Sequence, residues 1–154
     1  MEKQIADTVR SMGIFVGSTA FMVAAFGIAG AVYGPVGEVG GDLVNIIRYG
    51  QLALAVMAAV QASVMNRAVT AKLDLAETME AKLATYKART IIVVASVEAA
   101  ALFAGIAVLL TGLQALMLPA FVLFGVVVAM TFPTQARVRK ALSDATPAGK
   151  DRYA

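Results

Sequence analysis

The chain has 154 residues, 60% hydrophobic and 15% charged, with a mean hydropathy of +0.79 and a formal net charge of +3. A water-soluble domain carries about 25% charged residues to cover its outside, so this balance points to lipid as the main solvent and to one membrane domain. With no His and no Cys, the chain cannot offer imidazole or thiolate to haem, zinc or an iron–sulfur cluster, nor form a disulfide, and its basic residues form no aromatic-interleaved stripe for nucleic acid.

Residues 1–11 (MEKQIADTVRS) place Ile5 and Val9 one helical turn apart and predict an amphipathic lead-in. A first span follows over 12–33, which at 1.5 Å per residue reaches about 33 Å, enough for a hydrocarbon core of about 30 Å. The alternative, a signal peptide cleaved after the small pair Ala29 and Ala31, fits less well because the apolar run exceeds the roughly 7–15 residues of such a segment. Gly13 and Gly17 form one G-x-x-x-G, and Gly30 and Gly34 another, with Ala20, Ala24 and Gly27 between. Small residues at that spacing let a second helix approach closely, and packing drives helix association in lipid. The expected use is packing within the chain, ahead of a dimer face.

The Gly/Pro-rich stretch 34–42 (GPVGEVGGD), which carries Glu38, predicts a loop with Asp42 as N-cap of a second span over 43–65. Arg48, Gln51 and Gln61 interrupt that span, and Arg48 reads as an anchor that snorkels to the interface. Residues 67–89 lack Gly and Pro. There Val69, Leu73, Ala76, Met79, Leu83 and Tyr86 recur at helical spacing, and Asp74 with Glu77 matches a D-x-x-E helix start. This predicts two helical extensions joined by a tight turn near 73–75, with the third helix continuous from about residue 75. The third span, 91–111, stops at Thr111-Gly112. A short connection then forces the fourth, 116–132, to run antiparallel beside it. After Pro133 the stretch TQARVRKAL predicts a basic amphipathic helix with Arg137, Arg139 and Lys140 at the membrane edge, in contact with lipid or a partner. Residues 1–142 thus make one domain and 143–154 a flexible tail.

Lys3 and Arg10 precede the first span, Arg67, Lys72, Lys82, Lys87 and Arg89 lie between the second and third, and Arg137, Arg139, Lys140, Lys150 and Arg152 follow the fourth. By the positive-inside rule both termini and the 67–89 extension are cytoplasmic. The expected fold is an all-α integral membrane four-helix bundle with a cytoplasmic helical extension between helices 2 and 3.

Glu98 is the only carboxylate inside a span. It falls about 12 Å from the cytoplasmic start of its helix, where an ionised group costs several kcal/mol unless it is paired or protonated. Measured from the opposite edge, Glu98 lies at about 18 Å, Gln51 at about 12 Å and Arg48 at about 8 Å. Depth therefore favours Gln51 as its hydrogen-bond partner, with Ser96 and Arg48 as alternatives. Either Glu98 fixes helix register, or it binds and exchanges a proton or cation. No nucleophile–base pair, carboxylate dyad or phosphate-cradling loop can be assembled, so no enzymatic role is expected.

The stretch RTIIVVASVEAAALFAGIAVLLTG resembles the carboxylate helix of rotary ATPase proteolipid (c-type) subunits, which implies proton or cation binding at Glu98. The whole chain is also similar to a loose group of small uncharacterised bacterial four-span membrane proteins. Glu98, Thr111-Gly112 and Phe132-Pro133-Thr134 carry that likeness, which implies a bacterial inner-membrane location and brings no activity with it. The expected function is a non-enzymatic accessory or structural subunit, or a small homo-oligomer. Its contacts would run through the 67–89 extension and the basic tail, with no metal or cofactor. The alternative is proton or cation translocation at Glu98.

Overall fold

The computed structural model describes residues 2–36, 39–76 and 78–144, and all of its regular structure is helical. α1 spans Glu2–Tyr33, α2 Gly41–Leu75, α3 Met79–Thr111, α4 Met117–Thr131 and α5 Gln135–Asp144, with a 3-10 turn at Gln114–Leu116. α1, α2 and α3 are each long and apolar enough to cross a membrane. At 15 residues, α4 rises about 22 Å, short of a core about 30 Å thick. It meets α5 at a bend of 70°.

The helix ends follow their local chemistry. Gly40 stands at the N-cap of α2 with no side-chain cap, so Asp42 is a first-turn residue that complements the helix dipole and is not the expected cap. α2 continues to Leu75, beyond the turn expected at 73–75. α3 begins only at Met79, where the Thr78 hydroxyl accepts from the Ala81 N–H. The Asp74 side chain and Glu77, named as a helix start, lie outside the described residues, as do Glu38 and the tail from residue 145. Gly112 ends α3 in the left-handed conformation at φ +68°, and Pro35 packs against it.

α3 is the hub of the molecule. α1, α2 and α4 each pack chiefly on it, while α1 and α2 barely meet. Among the described residues, three helices are thus arranged around a fourth. The reason lies in α3 itself, where Ala100, Ala101, Ala104, Gly105 and Ala107 form a broad small-residue face that several helices can approach at once. α1 contributes one narrow stripe, Ile5, Thr8, Met12, Val16, Thr19, Val23, Gly27 and Gly30. Its steps of three, four and four make a repeat of about 3.67 residues per turn, close enough to 3.6 for the stripe to follow one neighbour along the helix. Gln51, Ala55, Ala58, Ala62 and Leu73 make the matching stripe on α2.

Two cores result. One joins Val16, Val23, Val93, Val94, Val97, Ala100, Ala101 and Phe124 in the middle of the molecule. The other lies at the end rich in Lys and Arg, where Ile5, Leu73, Leu83, Tyr86, Val138 and Leu142 pack together. The apolar face expected on the 67–89 extension is therefore largely covered by α1 and α5 of the same chain. Outside the cores the apolar surface continues. Phe21, Ile28, Ile46, Val56, Met57 and Met130 are each between 63% and 76% exposed.

Candidate functional site

Glu98 and Gln51 do not meet. Gln51 is buried, at 1% exposure, and donates from Nε2 to the Ala100 carbonyl of α3 at 3.2 Å. Its Oε1 is buried with no hydrogen-bond partner among the described residues. Glu98 is half-buried and takes part in no hydrogen bond or ion pair among the described residues. The Ser96 hydroxyl, the other near neighbour considered, donates to Ile92 at 2.7 Å. Arg48 is exposed on α2.

Helical phase explains why depth misled. Glu98 points within about 20° of Gly105, two turns further along α3, and Gly105 lies against Phe26 of α1. The contacts of α3 with α2 run through Arg89, Ala104 and Ala107, which bond or pack against Asn66, Ala55 and Ile47. Those positions lie about 120–180° around α3 from Glu98. Glu98 therefore sits at the margin of the α1 seam, with α2 and its Gln51 on the far side of the helix.

The two glycine pairs also separate. A methyl group at Gly30 would meet the Gly105 carbonyl at 3.0 Å, and one at Gly34 would meet the Val108 carbonyl at 2.8 Å. This pair allows α1 to close on α3. Among the described residues nothing lies within 4 Å of the corresponding position at Gly13 or Gly17, so the expected packing within the chain is not seen there for that pair.

The basic residues after α4 form the second candidate site. Arg137 Nη1 donates to the carbonyls of Ala129 at 2.7 Å and Phe132 at 3.1 Å, closing the C-terminal end of α4 and holding the bend into α5. Arg139 points elsewhere and pairs with Glu2 of α1. Arg137 and Lys140 line a cavity of about 390 Å³ together with Tyr86, Arg89 and Thr90 of α3. Arg89 is anchored by its Nε bond to Asn66 Oδ1 at 2.7 Å. Burial pushes the Tyr86 phenol up, and the charges of Arg89 and Arg137 draw it part of the way back. Sequence reading named Arg137 and Lys140 but missed Arg89 and Tyr86. The signal was present, since antiparallel spans three and four must bring the start of one beside the end of the other.

No group of His, Cys, Asp or Glu suited to a metal ion occurs among the described residues. No family model, curated protein or solved structure matches this chain, so the resemblances stated above rest on the residues that carry them.

Proposed function

We propose that the chain is an integral membrane protein of four spans, with both termini and the 67–89 extension in the cytoplasm of a bacterial inner membrane. In this reading it is a non-enzymatic component of a membrane assembly, either a homo-oligomer or an accessory subunit. Continuous apolar exposure around α1, α2 and α3 supports insertion, because a soluble monomer rarely exposes such large patches.

The observation that carries the assembly reading is Glu98. A half-buried carboxylate on an apolar surface, with no donor among the described residues of its own chain, is stabilised when a neighbouring chain supplies one. Contacts through the 67–89 extension would use its charged outer surface, Arg67, Lys72 and Glu80, because Leu73, Leu83 and Tyr86 are already covered.

Chemical cross-linking in membranes, followed by native mass spectrometry in mild detergent, tests this. The expected result is a defined oligomer or a stoichiometric partner. Replacing Glu98 by Leu should keep the helical content and weaken association at least about tenfold, as expected for loss of a hydrogen bond to a charged group. The same carboxylate, lacking a partner, also suits proton or cation exchange. A lone monomer whose proteoliposome flux is abolished by Glu98→Gln would replace the assembly reading with translocation.

A further inference from the structure

We infer that the elbow between α3, α4 and α5 binds the phosphate of an anionic glycerophospholipid, with an acyl chain lying in the apolar groove between α2 and α4. The inference rests on the membrane reading above and adds a specific ligand to it. Arg89, Arg137 and Lys140 line one cavity, and no carboxylate is among the described residues lining it. Three cations around one cavity repel each other, and an anion placed among them relieves that repulsion while accepting several charge-assisted hydrogen bonds. The neighbouring hydroxyls are already committed as donors, Thr90 to the Tyr86 carbonyl and Thr131 to that of Val127. Recognition of the anion therefore falls chiefly to the guanidinium and ammonium groups, with the Tyr86 phenol lining the same cavity.

The second observation is what lies beside this cavity. A groove of about 280 Å³ shares Arg89, Met130 and Thr131 with it and continues along Ala59, Val93 and Leu123. Its lining is mainly apolar apart from Ser63, Asn66 and the shared Arg89 and Thr131. One end thus suits a phosphate and the adjoining slot suits a hydrocarbon chain. That is the charge pattern of an anionic phospholipid and not of free phosphate. The level fits as well, since Arg89 immediately precedes the apolar run of α3 and Thr131 ends that of α4. Basic pockets between helices on the cytoplasmic side are where such headgroups bind.

The test uses the full chain purified in mild detergent. Native mass spectrometry would compare phosphatidylglycerol with phosphatidylcholine of identical acyl chains, with inorganic phosphate as competitor. Wild type should prefer phosphatidylglycerol about tenfold, and Lys140→Gln should remove about fivefold of that affinity, while Lys72→Gln, a basic residue outside the cavity, should not. Ser63→Phe, which fills the groove at an exposed position, should weaken both lipids. Circular dichroism confirms that each variant is folded. Equal binding of the two lipids, equal losses in Lys140→Gln and Lys72→Gln, or displacement by millimolar phosphate would overturn the site while leaving the membrane reading intact. A chain that is monodisperse without detergent would overturn both.

Discussion

The middle of the molecule and its basic end are packed on different principles. In the middle, Val94, Val97, Ala101 and Ala104 are fully buried, yet the side chains facing outward are as apolar as those facing in. Burial there gains close contact and little else, which is why small residues dominate and helices approach backbone to backbone. At the basic end Leu73, Leu83, Tyr86 and Leu142 close over one another beneath a charged exterior that includes Arg67, Lys72 and Glu80. That is the pattern of a core removed from water, where each large side chain contributes transfer free energy in addition to contact. The difference teaches that one helix, α3, is held by close fit along one half and by the hydrophobic effect along the other.

Truncation in the two halves of α3 tests this most strongly. Leu83→Ala should cost about 2–5 kcal/mol, because both the transfer and the cavity terms apply. Val97→Ala in the middle should cost only about 1 kcal/mol, mostly lost contact. Thermal unfolding in one detergent compares them, and a larger loss at Val97 would break the distinction.

The two glycine pairs sharpen the same comparison within α1. Gly34→Ala should cost about 1–3 kcal/mol, since the added methyl meets the Gly30 and Val108 carbonyls at 2.6 and 2.8 Å, and backbone cannot swing aside. Gly13→Ala, with open space around it, should stay within about 0.5 kcal/mol of wild type. A large loss of oligomer in Gly13→Ala with unchanged monomer stability would instead assign that open pair to a contact between chains.

The smallest effect expected is a pH dependence confined to the basic end. Tyr86 lies outside the expected span 91–111, and its folded-state pKa is raised, chiefly by burial. An unfolded phenol titrates near about pH 10. The folded state therefore holds the proton more tightly, and the associated stability is complete below that pH and lost as pH rises through the folded value. Melting curves from pH 8 to about pH 11 should fall more steeply for wild type than for Tyr86→Phe. Parallel curves would mean that the phenol is reached by water.

What was legible in the sequence was position along the helix axes. The apolar runs, the stop at Gly112 and the basic helix after Pro133 all follow from hydropathy and capping, because apolar and charged stretches alternate along that one direction. The exact turn between α2 and α3 was less legible. A helix favourable up to Leu75 yields only where Thr78 can cap the next one.

Only the tertiary structure decided direction around each axis. Gln51 and Glu98 are close along the helix axes, yet Gln51 bonds to Ala100 while Glu98 lies along the α1 side of the same helix. Identical G-x-x-x-G spacing left Gly30 and Gly34 against α3 but Gly13 and Gly17 against nothing among the described residues. The basic cavity likewise needed the fold to bring Arg89 beside Arg137 and Lys140. The physical reason is common to all three. A soluble helix marks its inner face by hydrophobic contrast, whereas these helices are apolar on both faces. Their rotation is then set by the fit of glycine and alanine against a neighbour, a property that belongs to pairs of helices and cannot be read from either one alone.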